Sequence, residues 1–218
     1  MFRFCFQSSG MHSRRFTAKT FFLPLLLCSL ALGAMNSRAA QAIALDPAAS
    51  SVTFVGDSFL HSFHGEAKDI TGSAELDSAA VPPVQNATLH FKTAALTTFH
   101  KERDQKMFAW LQIAVHPDAT FSLQSVKLVD GDYQKAEPQH PAKFAVRGMF
   151  TLNGVKKPMV GPALGWRDKD RLVVSGEATI DTLKYGLPQI REAFMTVGTD
   201  VKVSYRFSFI LPREYAAK

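Results

Sequence analysis

Lys143-Phe144-Ala145-Val146-Arg147-Gly148-Met149-Phe150-Thr151-Leu152-Asn153-Gly154-Val155 is the stretch on which the fold turns. Phe144, Val146, Gly148, Phe150 and Leu152 occupy its even positions, and Lys143, Ala145, Arg147, Met149 and Thr151 the odd ones. An extended chain sends alternate side chains to opposite faces, so this run predicts a strand with one apolar face. Asn-Gly is the pair best suited to the two consecutive positive φ angles of a two-residue type I′ turn, and a second strand-like run follows it. A β-hairpin is therefore expected. Pro158 and Pro162 interrupt its second strand, and because proline cannot donate to a ladder, they predict a rim or edge position.

Outward from this hairpin the same period recurs. Leu172, Val174, Gly176, Ala178 and Ile180 oppose Arg171, Ser175, Glu177 and Thr179. Val201, Val203, Tyr205, Phe207, Phe209 and Leu211 oppose Lys202, Ser204, Arg206 and Ser208, and Ala87, Leu89 and Phe91 oppose Thr88, His90 and Lys92. Phe121 and Leu123 fall on odd positions but Val126 and Leu128 on even ones, which a bulge near Gln124-Ser125 reconciles. Strands are expected over 45–55, 65–77, 85–93, 120–129, 143–152, 155–166, 171–180 and 200–211. One helix is expected over 102–111, where Met107, Trp110 and Leu111 share a face. The fold class is all-β: eight antiparallel strands, each apolar on one side, lose their exposed edges most economically by closing into a barrel. A two-sheet sandwich is the competing arrangement.

The first 42 residues read differently. Arg3, Arg14, Arg15 and Lys19 precede an uncharged apolar run, Phe21 to Ala34, and Ala40-Gln41-Ala42 fits the small-x-small pattern of signal-peptidase sites. That run is too short to span a bilayer as a helix. Residues 1–42 are expected to be a cleaved secretory leader and 43–218 a single exported domain of the periplasm without stable membrane insertion. The general route and the twin-arginine route stay open, although Thr17-Ala18 after Arg14-Arg15 lacks the apolar pair of the latter. The chain carries a formal net charge of +6, but five of its 25 basic residues and none of its 19 acidic ones lie in the leader. The remaining balance, 20 against 19, excludes polyanion binding, so no nucleic-acid partner is expected. Both cysteines, Cys5 and Cys28, also lie in the leader, which removes disulfides and thiolate metal ligands from the domain.

Taken in order, several pieces resemble the YceI-like family of exported, lipocalin-like proteins over residues 44–211. They are Asp46-Pro47 with Ser50-Ser51-Val52-Thr53-Phe54; Gly65 through Gly72; Arg103-Asp104; Pro117 with Thr120-Phe121; Gly148 with Leu152-Asn153-Gly154-Val155-Lys156-Lys157-Pro158; and Ser175-Gly176, Tyr185-Gly186-Leu187 and Val197-Gly198 before Val201. The resemblance implies a lipocalin-like barrel around an elongated apolar channel for a polyisoprenoid or polyprenyl quinone. Ala49 stands where the family commonly has His, and Thr182 where it often has Arg.

The residues expected to wall such a channel are Phe91, Met107, Trp110, Phe121, Phe144, Phe150, Val174, Tyr205 and Phe207. Arg103-Asp104 suits either a polar head group or the start of the helix, where an acidic side chain meets the helix dipole favourably. Six histidines remain after the leader, and His61 and His64 would approach each other if their segment turned as a helix. They carry the alternative reading, a metal- or haem-associated redox accessory protein, with His100 and His116 as further candidates. Metal sites need three or four ligands, however, and no cysteine or carboxylate lies near the pair in sequence. No Gly-x-Ser-x-Gly elbow, His-Glu-x-x-His or phosphate loop is present. The expected function is thus a non-enzymatic carrier of an apolar, isoprenoid-like ligand. No cofactor or metal is expected, and association into a homodimer is left open.

Overall fold

The computed structural model describes residues 40–58, 61–77, 82–192 and 195–216. Residues 1–39 of the expected leader lie outside them. In chain order the strands are β1 (Gln41–Ala44), β2 (Ser51–Ser58), β3 (Ser62–Ala67), β4 (Thr71–Leu76), β5 (Val84–Lys92), β6 (Leu96–Thr97), β7 (Asp118–Asp130), β8 (Ala142–Leu152), β9 (Val155–Asp168), β10 (Arg171–Asp181), β11 (Arg191–Glu192) and β12 (Met195–Ile210). Two helices, α1 (Lys101–Trp110) and α2 (Arg213–Ala216), complete the set with three 3₁₀ turns.

Twelve strands replace the expected eight because one expected strand is broken in two and β1, β6 and β11 are added. The run expected over 45–55 holds a 3₁₀ turn at Pro47–Ala49 and the start of β2, while β1 lies upstream of it, with Gln41 and Ala42 inside the expected leader. Pro47 supplies the fixed φ of a turn's first position, and Asp46 caps the turn by accepting from the Ala48 amide at 2.9 Å. The run expected over 65–77 is β3 and β4, parted at Lys68-Asp69-Ile70, where Asp69 has φ 54°. The two halves still form one hairpin: Val52 pairs with Ala67 and Asp57 with Ser62, then Ile43 pairs with Ala74 after the break.

That hairpin closes the barrel. β4 pairs with β5, β5 with β7, β7 with β8, β8 with β9, β9 with β10, β10 with β12, and β12 with β2, all antiparallel. Since β1–β2 and β3–β4 are the two arms of one hairpin, the ring has eight positions and closes on itself, with one-sided pairing over part of β9 and part of β3. The broken strand is held where it dents: the Asp46 amide donates to Ser208 O (2.8 Å), the Ser208 amide to Ser50 Oγ (3.0 Å), and Asp46 is ion-paired with Arg171.

The central hairpin forms as its sequence requires, with φ of 50° at Asn153 and 70° at Gly154. β7 and β8 slip register between Leu123 and Ser125, where the change of hydrophobic phase placed the bulge. β9 pairs with β10 only over Ala163–Asp168, so its proline-bearing half is laddered on the β8 side alone. Beside that half, buried Tyr185 and Leu187 pack with Phe150, Leu152, Val155 and Met159, so apolar side chains fill the place of the missing ladder. A second cluster, including Ile43, Leu45, Leu76, Phe209 and Leu211, fills the end of the barrel away from α1. Among the described residues no helix is long and apolar enough to cross a membrane.

Candidate functional site

The inward faces of the strands surround one cavity of about 1180 Å³. This exceeds the ~300–1,000 Å³ of ordinary small-molecule pockets. Its wall includes Phe91, Phe121, Phe144, Phe150, Val174, Tyr205 and Phe207 from the strands and Met107 and Trp110 from α1, so all nine side chains singled out in the sequence meet at one lumen. Each strand contributes alternate residues, for example Val201, Val203, Tyr205, Phe207 and Phe209 from β12.

What the sequence did not reveal is how aromatic rings can line an eight-stranded barrel without filling it. Five of them lie over glycines of neighbouring strands. A Cβ built on Gly65 would meet the Phe54 ring edge at 2.6 and 2.7 Å, one on Gly56 would meet Phe63 at 2.8 Å, and one on Gly165 would meet Phe144 at 2.8 Å. Gly148 likewise lies under Phe121 and Gly176 under Tyr205. Carbon atoms in contact prefer ~3.5–4.0 Å, so each ring occupies a notch that any larger residue would deny it. The rings cover backbone and leave the axis of the barrel open. The missed signal is the set of cross-strand pairs, Phe54 with Gly65, Phe63 with Gly56 and Tyr205 with Gly176.

α1 lies over the mouth. His100 precedes it with extended backbone, Glu102 and Asp104 occupy its first turn, and Gln112 leaves the helical region after it with φ 52°. Asp104 accepts from the Thr98 amide (2.7 Å), Thr98 Oγ1 and Thr97 Oγ1 (2.8 Å), while Arg103 Nε and Nη2 donate to Thr98 Oγ1 (2.8 Å) and Thr98 O (2.6 Å). Burial raises the pKa of the Asp104 carboxyl. The hydrogen bonds from Thr98 and Thr97 outweigh it, with Arg103 adding to them, and the net position is below the ordinary carboxylate range. The Arg103-Asp104 pair therefore ties the helix start to the β6 segment, while Arg103 also lines the cavity with its guanidinium 5.3 Å from the Phe63 ring centre. At the other end of α1 the Trp110 indole donates to Pro188 O at 2.8 Å, fastening the helix across the opening.

Polar residues gather at this mouth: Ser58, His61, Thr98, His100, Glu102, Arg103, Lys106, Gln189 and Arg191. The histidines do not assemble as the alternative reading requires. Their segment is a strand and not a helical turn, so His61 lines the mouth while Phe63 faces the lumen and His64 is sent to the opposite face. His116 packs its ring against Gly154 at the central hairpin. Among the described residues no three His, Cys, Asp or Glu side chains are placed to hold a metal ion.

With this geometry in hand, residues 44–209 match the model of the YceI-like domain. The chain belongs to the YceI-like family. A UPF0312 protein of Azotobacter vinelandii is 32% identical over 146 residues, covering 62% of this chain and 69% of its own. One from Pseudomonas syringae pv. tomato is 30% identical over 193 residues, covering 80% and 93%. The fold is that of BcnA from Burkholderia cenocepacia (TM-score 0.63, 16% identity, 75% of this chain and 98% of that one). It is also that of a polyisoprenoid-binding domain from Saccharophagus degradans implicated in plant cell wall breakdown (TM-score 0.61, 18% identity, 78% and 98%).

Proposed function

We propose that this YceI-like protein is a non-enzymatic carrier or sequestering protein for a long apolar molecule, of polyisoprenoid or prenyl-quinone type, held in the barrel lumen and handled in the periplasm. The observation that carries this reading is the lumen itself: about 1180 Å³, walled by aromatic and aliphatic side chains whose rings are folded back onto glycines. Burying hydrocarbon there is worth roughly 25 cal/mol per Å² before the costs of ordering protein and ligand are subtracted. The polyisoprenoid-binding domain of similar fold supports the ligand class, and the leader-like sequence of residues 1–42 supports the compartment.

The test is lipid extraction and native mass spectrometry of protein isolated from its own cells, alongside Phe150→Trp. Phe150 is buried, faces Phe121 across the β7–β8 ladder and meets the Tyr185 ring edge-on at 5.7 Å, so an indole there must project into the lumen. Bound lipid in the wild type and at least a severalfold lower content in a folded Phe150→Trp variant are expected. Ligand-free wild-type protein would overturn the reading, and so would full lipid content in the variant.

A further inference from the structure

Halfway down the lumen a phenol interrupts the apolar wall. Between the polar mouth and the far end, where Tyr133, Gln134, Arg167 and Tyr215 border the cavity, Tyr205 presents its hydroxyl on the inward face of β12, and Glu177 of β10, an exposed residue on the other phase of its strand, also borders the cavity. Its neighbours in β12, two residues away on either side, are Val203 and Phe207. Across the ladder it pairs with Gly176 of β10.

Three features fix the phenol in place. It stacks on Phe207, with ring centres 5.2 Å apart and planes 17° apart. It lies over Gly176, where a Cβ would come within 2.7 Å of the Tyr205 Cζ, so nothing larger than glycine is compatible with this position of the ring. The same hypothetical Cβ would be 2.9 Å from Pro162 O, so the backbone of β9 borders the same notch. Among the described residues the hydroxyl makes no hydrogen bond to protein, and burial alone pushes its pKa above the usual phenol value. Tyr205 is half-buried and its hydroxyl opens into the lumen, so once a bound hydrocarbon fills that space the hydroxyl is costly unless it finds a partner. A phenylalanine at this position would build the same stack and the same wall without that cost.

We infer that Tyr205 is a specificity-determining residue of the lumen: its hydroxyl donates a hydrogen bond to an oxygen carried inside the barrel by the bound molecule, so that the preferred ligand has a polar, acceptor-bearing ring on an apolar body and enters with that ring foremost. This rests on the carrier reading above. The stacked Tyr205–Phe207 pair, with Phe121 and Phe144 in the wall of the same cavity, gives a flat ring aromatic surface to lie against. An all-hydrocarbon isoprenoid fills the same volume but leaves the hydroxyl unpaired, and a site built around a buried polar group discriminates against the analogue that cannot satisfy it.

The experiment compares full-length wild type with Tyr205→Phe, titrating a prenylated benzoquinone and squalene, an isoprenoid without oxygen, by quenching of intrinsic fluorescence and by native mass spectrometry. Wild type is expected to bind the quinone more tightly. Tyr205→Phe should weaken the quinone by roughly fivefold to tenfold, the usual scale of one hydrogen bond, while leaving squalene unchanged or tighter. Equal binding of the quinone by both proteins, or equal weakening of both ligands, overturns the assignment of Tyr205 while the carrier reading stands. Failure of wild type to bind either ligand overturns the carrier reading and the inference together. Gly176→Ala, which must displace the phenol without removing its hydroxyl, should mimic Tyr205→Phe on the quinone. A Gly176→Ala protein that folds and keeps the full quinone preference also refutes the placement.

Discussion

Replacing Gly65 by alanine asks whether the aromatic rings are held in glycine notches or merely rest near them. The new methyl would meet Phe54 Cε2 and Cε1 at 2.6 and 2.7 Å, and the three nearest atoms are all in that ring, none of them backbone. Because the ring tip, Cζ, lies closer still, restoring ordinary carbon contact at ~3.5–4.0 Å requires it to move by roughly 1.5 Å or more, and the free direction is toward the lumen. Overpacking of this size costs about 1–3 kcal/mol. At ~2–4 °C per kcal/mol for a domain of this length, the melting temperature should fall by roughly 2–12 °C. The decisive measurement is a double-mutant cycle by urea denaturation. In a Phe54→Ala background the obstacle is gone, so adding Gly65→Ala should cost nothing, or stabilise by the ~0.5–1 kcal/mol that glycine loses to alanine in a strand. Gly148→Ala is the contrast, because its methyl would also meet the Ser122 carbonyl oxygen at 2.7 Å, and Phe121→Ala should rescue it only in part. A Gly65→Ala cost that is equal in both backgrounds, or absent from the wild type, refutes the notch account.

The acid side of the stability profile should belong to aspartates. The carboxyl of Asp46 is held low by its hydrogen bond from Arg171, Asp118 by Lys92 and then His90, Asp130 by Lys143, and Asp104 by the balance described above. Because these folded-state values are depressed, their stabilisation is complete above the unfolded value of about 3.9 and is lost as pH falls through the folded ones. Thermal melts should therefore be flat from neutral pH to about 5 and drop below about 4, with a shallower drop in Asp104→Asn; a loss complete by pH 5 would contradict this. Gly154→Ala places a side chain at φ 70° beside the His116 ring and should cost at least about 1–2 kcal/mol in chemical denaturation, whereas an unchanged midpoint would show that the turn tolerates it. A cut after Ala42 would remove half of β1, while Ser37-Arg38-Ala39 offers the same small-x-small spacing and would leave Gln41–Ala44 whole. N-terminal sequencing of exported protein should accordingly begin at Ala40, and a start at Ile43 would refute this.

Much of the lumen could be read from single strands because period two is a local property. Phe144, Phe150, Val174, Tyr205 and Phe207 needed only their own neighbours to be assigned to the inner face. The glycine notches needed more, since Gly65 or Gly176 gains its meaning from which residue of the next strand lies opposite, and register belongs to pairs of strands. The breaks at Asp46–Ser50 and Lys68–Ile70 escaped for a related reason. The inward phase changes across them, from odd at Ile43 and Leu45 to even at Val52 and Phe54 and from odd at Phe63 to even at Ala74 and Leu76, but each run is too short to show the change by itself, and only Pro47 and the positive φ of Asp69 mark the interruption. His61 and His64 were read at helical spacing in a segment that is extended, which turned a divergent pair into an apparent cluster. The bond from Trp110 to Pro188 joins residues 78 apart and had no trace in either local sequence.

The ring closes between β12 and β2, where Val201 meets Gly56 and Arg206 meets Ser51. A chain emerging from the ribosome or from a translocation pore amino end first thus offers β2 with no partner on that side until nearly its last strand arrives. Contacts of such sequence separation are slow to form, because loop closure must precede any gain from pairing. For that interval β2 and β10 are both open edges, and Leu172, Val174, Val52 and Phe54 are without their cover. Protection of nascent chains should therefore matter more for this protein than its finished, closed ring suggests, and a frameshift or stop codon before residue 200 should yield aggregate, not a smaller barrel.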